Sequence, residues 1–291
     1  MSWDKIKSLN PFTKSVACQK ATEPPFSGCY LEAPTIGTYL CRRCGLPLWE
    51  NSAQFSSSCG WPSFDDRLKN AIVEQPDEDG NRVEIICQRC HSHLGHVFRG
   101  EGFTQKNLRD CVNSVMLDFV PFQKIHDTRE IIIAGGCFWG VEHLIHSAPG
   151  VLFTECGYIG GHQDNPSYDN VCSASTGHFE AVRVIYDTAL TSSKILFKLF
   201  FEIHDPTQHF GQGPDIGPQY RSAIFYYDDE QKKEAEILIL ELEKLGYKIS
   251  TQLLPMSCFW KAEVYHQMYY EKNHKAPYCH TRVKRFNREY D

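Results

Sequence analysis

Residues 130–140 read Glu130-Ile131-Ile132-Ile133-Ala134-Gly135-Gly136-Cys137-Phe138-Trp139-Gly140. A run of β-formers passes through two glycines into a cysteine at the start of a helix. That position has a chemical use. Helical N–H groups and the positive end of the helix dipole stabilise a thiolate, so a thiol pKa near about 8.5 falls by one or two units. On this motif alone a buried, unreactive cysteine remains the alternative.

Downstream of this stretch the patterning alternates. Strands are predicted over 130–134, 151–158, 179–187, 221–227 and 248–253, and helices over 137–147, 192–203 and 229–245. Asp228 and Asp229 are caps for the last helix, and Gly246 sits where it would stop. The order βαββαβ, with additions, implies a two-layer α+β domain of the ferredoxin-like split βαβ kind. Upstream, short segments are broken at Pro24-Pro25, Gly37, Gly45, Pro47, Gly60, Pro62, Gly95, Gly100 and Gly102. This is the rhythm of many short strands, and it predicts a compact all-β unit. Between the two the pattern lapses over 122–129, so the expected domains are 1–124 and 125–291.

A chain of 291 residues fits two domains, and 42% hydrophobic with 23% charged residues excludes disordered and fibrous classes. Thirty basic against 36 acidic side chains leave a net charge of −6. No basic field therefore draws the chain to nucleic acid or an anionic membrane. Residues 1–20, with Asp4, Lys5, Lys7, Asn10 and Lys14, hold no continuous apolar stretch for a secretory leader, and no segment reaches about 18 apolar residues. A cytoplasmic, reducing setting is expected, where cysteine serves metal or catalysis.

Thirteen cysteines, an odd number, cannot all be paired. Cys41-Arg42-Arg43-Cys44 and Cys87-Gln88-Arg89-Cys90 are two CxxC pairs, each able to hold one edge of a cation, and together they make a tetrahedral thiolate site. One structural zinc per chain is expected, with a redox pair or unbound thiols as alternatives. Binding energies on the order of 10–16 kcal/mol would let such a site decide whether the domain folds.

Four further runs carry a resemblance: Thr22-Glu23-Pro24-Pro25-Phe26-Ser27-Gly28, Ser58-Cys59-Gly60-Trp61-Pro62-Ser63-Phe64, Ser92-His93-Leu94-Gly95-His96-Val97-Phe98 and Arg109-Asp110-Cys111-Val112-Asn113-Ser114. With the CxxC pairs, nearly all of residues 20–120 resembles the B-type, methionine-R-sulfoxide reductases. The resemblance implies that Cys111 is the nucleophile, Cys59 the resolving thiol and Trp61 the wall against the substrate methyl. His93, His96 and Asn113 would polarise or protonate the sulfoxide oxygen. Packing is the alternative for Trp61, and a satisfied surface group for each histidine. Asp110 departs from the tyrosine common in that family, and a carboxylate beside Cys111 disfavours its thiolate unless it points away.

Residues 130 to about 280 resemble the A-type, methionine-S-sulfoxide reductases. The motifs are the GCFWG run, Gly157-Tyr158-Ile159-Gly160-Gly161, Pro166-Ser167-Tyr168, Thr176-Gly177-His178-Phe179-Glu180, His204-Asp205-Pro206, Gly213-Pro214-Asp215, Gln219-Tyr220-Arg221-Ser222 and Ala262-Glu263-Val264-Tyr265-His266-Gln267. By that resemblance Cys137 is the nucleophile, Phe138 and Trp139 cage the methyl group, and Glu180 protonates the oxygen. Tyr168, Tyr220 and Asp215 would hold the oxygen or its water, with core packing the alternative for the tyrosines. Burial beside tyrosines keeps such a Glu protonated near neutrality. Cys279, in Pro277-Tyr278-Cys279 where many relatives have Gly-Tyr-Cys, is the expected resolving thiol. Cys258 is its competitor or a buried small residue, as are Cys156 and Cys172, while Cys18 and Cys29 have no role.

The expectation is a bifunctional enzyme reducing both epimers of methionine sulfoxide, free or in oxidised proteins, with thioredoxin as reductant. One rival is an active A-type domain fused to an inactive zinc-binding interaction module. A second is a cysteine hydrolase with His178 or His204 as base.

Overall fold

A computed structural model of the chain describes residues 9–32, 35–77 and 80–286. Asp4, Lys5 and Lys7, used above to argue against a leader, lie outside the described residues. Among the described residues no helix is long and apolar enough to cross a membrane. The chain forms two compact units that divide between Thr128 and Arg129.

The first unit contains helix α1 (Pro11–Gln19) and strands β1 (Gly37–Cys41), β2 (Pro47–Glu50), β3 (Gln54–Phe55), β4 (Ser63–Phe64), β5 (Ile72–Pro76), β6 (Val83–Cys87), β7 (His93–Arg99), β8 (Leu108–Val112) and β9 (Leu117–Pro121). They make a three-stranded sheet, β2-β1-β9, and a six-stranded sheet, β3-β4-β8-β7-β6-β5. The all-β expectation omitted α1. Its signal was local: Asn10 caps the helix by accepting from the Thr13 N–H at 2.8 Å, and Pro11 fills the first position, where no N–H is needed. Val16 and Ala17 are the apolar face it buries.

The second unit runs β10 (Thr128–Gly135), α2 (Phe138–His146), β11 (Val151–Ile159), α3 (Tyr168–Cys172), β12 (Phe179–Asp187), α4 (Ser193–Ile203), β13 (Gly211–Gln212), β14 (Asp215–Ile216), β15 (Ser222–Tyr226), α5 (Asp229–Lys244), β16 (Gln252–Pro255), β17 (Phe259–Lys261) and α6 (Tyr269–Asn273). Its six-stranded sheet has the order β16-β15-β10-β12-β11-β17. Alternation along β10 divides the core. Ile131 and Ile133 join Val141, Phe197, Phe200 and Leu238 from the helices, whereas Ile132 and Ala134 join Phe179, Phe225 and Phe259. Arg183, fully buried on β12, ties three strands by bonding Glu130 at 2.6 Å and Glu155 at 3.1 Å.

Asp228 caps α5 by accepting from Gln231 N–H at 2.9 Å, and Gly246 leaves it at φ +91°. The strand expected at 248–253 begins later, at Gln252. Tyr247 N–H is spent on Leu242 O and Ser250 N–H on Pro206 O, so pairing with β15 starts only at Ala223 opposite Gln252. Cys172 is exposed rather than buried: Val171 is the inward residue of α3, and the next residue turns about 100° away. Cys258 is half-buried, and Cys156 is fully buried.

Candidate active sites

The register of β8 places the first site. Cys111 lies opposite Ser63 on β4 and His96 on β7, and Asp110 lies opposite Phe64 and Val97. Residues opposite one another share a face, so Cys111 and Asp110 point to opposite faces of the sheet. Asp110 is fully buried, accepting from Trp49 Nε1 at 3.0 Å and from Arg67 Nε at 2.7 Å. The carboxylate that departs from the family pattern therefore points away from the thiol.

The loop before β4 brings Cys59 Sγ to 3.8 Å from Cys111 Sγ. Hydrogen bonding from Cys111 and then from Ser57 pulls Cys59 down to about 4, while the bond to Cys59 and burial push Cys111 up. The two shifts run in opposite directions because the sulfurs share one hydrogen bond. Arg109, which sequence reasoning passed over, favours the Cys111 thiolate. Its guanidinium lies 4.4 Å over the Phe98 ring and is forked onto Glu101 at 2.7 and 2.9 Å.

Cys111, Trp61, His96 and Asn113 line one cavity of about 120 Å³. Trp61 is fixed by donating Nε1–H to Glu23 O at 3.0 Å. Asn113 accepts from Glu23 N–H at 2.9 Å and donates to Leu94 O at 3.1 Å. Gly95 is required beside them, because a Cβ there would lie 1.9 Å from Cys111 O. His96 Nε2 bonds Asp77 at 2.7 Å. His93 is not among the residues lining this cavity: it is buried with Nδ1 on Glu84 at 2.7 Å, its ring 5.4 Å from that of His96. Burial pushes its pKa down, against the pull of Glu84.

Cys41, Cys44, Cys87 and Cys90 are buried together, with Cys41–Cys90 and Cys44–Cys87 sulfur distances of 3.7 and 3.6 Å. Four sulfurs about 2.3 Å from a central zinc define a tetrahedron with edges of about 3.8 Å, so the donor set fits that ion. The two knuckles repeat one geometry. Gly45 N–H donates to Cys41 O and His91 N–H to Cys87 O, and Gly45 and His91 both take positive φ.

In the second unit Cys137 caps α2, as the glycine turn implied. Its sulfur, that of Cys279 and an oxygen of Asp215 lie within 4.8 Å of one another. The acidity expected of a helix-capping cysteine is outweighed. Hydrogen bonding with Cys279 and burial hold the Cys137 thiol well above its ordinary value, and the Trp139 N–H opposes them. Glu180, almost fully buried on β12, accepts from Phe138 N–H at 3.1 Å. Burial, reinforced by Cys137 and Asp215, raises its pKa well above the carboxylate range. That direction favours the protonated acid.

Burial raises the pKa of both Tyr168 and Tyr220, and their proximity to Glu180 adds to it. Asp215 accepts from Tyr278 O–H at 3.3 Å, and its Oδ2 is buried with no partner among the described residues. Phe138 is buried against His266, ring centres 4.9 Å apart, and Trp139 stacks on Tyr269 at 3.7 Å. His266 is a positioning residue that sequence reasoning did not single out, although its motif was quoted. It accepts Trp139 Nε1–H at 2.9 Å and packs on Tyr168 at 4.6 Å. Cys156 is engaged with Glu142 at 3.2 Å, and Cys18 and Cys29 are exposed. His178 spends its ring nitrogens on Gly161 N–H and Gln163 O, and His204 on Phe200 O and Ser222 Oγ. Neither is left to serve Cys137 as a hydrolytic base.

Residues 129–291 match the family model described as peptide methionine sulfoxide reductase, and residues 9–121 match the one described as the SelR domain. The chain is 44% identical over 159 residues to the peptide methionine sulfoxide reductase MsrA of Saccharolobus solfataricus, covering 53% of this chain and 90% of that one. It is 51% identical over 142 residues to MsrA of Methanosarcina acetivorans, covering 48% and 76%. Among solved structures, the reduced form of Mxr1 from Saccharomyces cerevisiae superimposes with a TM-score of 0.50 at 36% identity, covering 53% of this chain and 92% of that one.

Proposed function

The chain belongs to the peptide methionine sulfoxide reductase family, with a SelR domain ahead of the reductase domain, and from that premise we propose a bifunctional enzyme. The first domain reduces the R epimer of methionine sulfoxide and the second the S epimer. The observation that carries the reading is the repeated pairing of a cysteine nucleophile with a second thiol: Cys111 with Cys59 at 3.8 Å, and Cys137 with Cys279 within 4.8 Å. One chiral cavity distinguishes epimers, so two cavities are needed to accept both.

In the second domain the sulfoxide methyl sits against Phe138 and Trp139. Glu180 gives its proton to the oxygen as the Cys137 sulfur attacks, the thiol proton returning to the Glu180 carboxylate, and Tyr168, Tyr220 and Asp215 hold the oxygen. The oxygen passes to Cys137 as a sulfenic acid, methionine leaves, and Cys279 condenses with Cys137 to a disulfide and water. In the first domain Cys111, Cys59 and Trp61 take the corresponding roles. His96 and Asn113 face the oxygen, and His93 acts through its contact with the His96 ring. A zinc ion held by Cys41, Cys44, Cys87 and Cys90 would supply structure rather than chemistry. Thioredoxin is the proposed reductant of both disulfides, and the fold of the second domain is the split βαβ kind.

The test is reduction of the separate epimers of an N-blocked methionine sulfoxide with dithiothreitol by wild type, Cys111→Ser and Cys137→Ser. Each variant should lose one epimer, R for Cys111 and S for Cys137. A wild type inert toward R would leave the first domain as a zinc-binding module.

A further inference from the structure

His280 adjoins the proposed resolving thiol and was no part of the expected site. Its Nε2 lies 2.7 Å from Gly135 O, and its Nδ1 lies 3.0 Å from Cys279 Sγ. A carbonyl oxygen only accepts, so Nε2 carries the ring proton and Nδ1 presents a lone pair. The partner of that lone pair is the Cys279 S–H. The ring is nearly fully buried, and a glycine makes its berth: a Cβ on Gly140 would lie 2.2 Å from Nδ1.

Resting on the reading of Cys279 as resolving thiol, we infer that His280 is the base that takes the Cys279 proton when the disulfide with Cys137 closes. The step balances. The S–H proton moves to Nδ1, and the sulfur pair of Cys279 forms the S–S bond to the Cys137 sulfenic acid. The Cys137 S–O bond breaks, and the departing hydroxide leaves as water with the proton from Nδ1. Cys279 is oxidised and the sulfenic acid reduced, and His280 ends neutral as it began.

The surroundings suit a neutral base. Burial pushes the His280 pKa down, opposed by Gly135 O and by Asp215 from β14. His204, at the end of α4, is held neutral at about 3, mainly by burial, so it adds no charge at neutral pH. Beyond Cys279 stand Cys137, at the start of α2, and the phenols of Tyr270 and Tyr278, whose pKa values burial raises.

The test uses the full chain, one addition of the S epimer without reductant, and rapid quenching, with methionine release and disulfide closure followed separately. In wild type, closure should be level between pH 6.5 and 8.5. His280→Gln keeps an amide that can donate to Gly135 O but is no base. It should release about one methionine per chain, close about 30-fold more slowly at pH 7, where a free thiol is only a few per cent ionised, and recover by pH 9. A His280→Gln rate and pH profile equal to wild type would overturn the inference. So would wild-type closure that itself climbs tenfold per unit from pH 7 to 8, a result that does not depend on the variant folding. Closure that persists in Cys279→Ser would instead remove the reading of Cys279 on which the inference stands.

Discussion

Arg67 and Asp110 form a two-point ion pair, Nε to Oδ2 at 2.7 Å and Nη2 to Oδ1 at 2.5 Å, on the sheet face opposite Cys111. The pair turns the residue before Cys111 into a structural element. Trp49, stacked on Phe64 at 4.8 Å, completes the enclosure by donating to the same carboxylate.

Asp110→Asn should therefore lower stability and spare chemistry. Removing one partner of a buried ion pair leaves the other uncompensated, but Arg67 also reaches Glu74 at 2.6 Å, so the loss is about 2 kcal/mol. Urea unfolding should show a lower midpoint, with R-epimer turnover within about threefold of wild type. A tenfold gain in turnover would mean that the carboxylate does weigh on Cys111.

Glu180→Gln should abolish most S-epimer reduction, by about 10²- to 10⁴-fold, because the oxygen loses its proton donor. The folded-state pKa of Glu180 is raised, so its contribution to stability is complete below the unfolded carboxylate value and is lost as pH rises through the folded one. The glutamine carries no such penalty. Relative to wild type the variant should gain stability toward alkaline pH, at up to about 1.4 kcal/mol per pH unit over that window. Chemical denaturation at pH 6 and pH 9 reads this directly, and parallel pH profiles would contradict it.

Elemental analysis should find one zinc per chain, lost in Cys87→Ser. The variant should show greatly weakened or absent folding of the first unit, since metal binding free energy is folding free energy in such sites. S-epimer turnover, which uses none of these residues, serves as the internal reference. A metal-free chain with full R-epimer activity would overturn the assignment.

The legible part of the molecule was the part with local rhythm. The strand at 179–187 and the helix from Ser193 stand where apolar periodicity placed them, and the two CxxC pairs announced the four-sulfur cluster. Short α3 and α6, five residues each, are too brief to show a helical period, and β13 and β14 pair over two residues. The orientation of Asp110 depends on the register of β8 against β4 and β7, which no local pattern encodes. Arg109, His266 and His280 escaped for a related reason. A single polar side chain gains its role only from what the fold sets beside it: Glu101, Trp139 and Gly135 respectively.

Between Cys44 and Cys87 run 42 residues, carrying β2 to β5 and most of β6. The first knuckle ends a strand of the smaller sheet and the second a strand of the larger one. An ion held by both would make this stretch a closed ring and so restrict the chain even where it is unfolded. By the loop-closure entropy of a cross-link, a ring of this size is worth on the order of 4 kcal/mol, a sum that grows only slowly with contour length. Insertions between β5 and β6 should thus cost little of this restriction, whereas cutting the ring at one sulfur forfeits the whole of it at once.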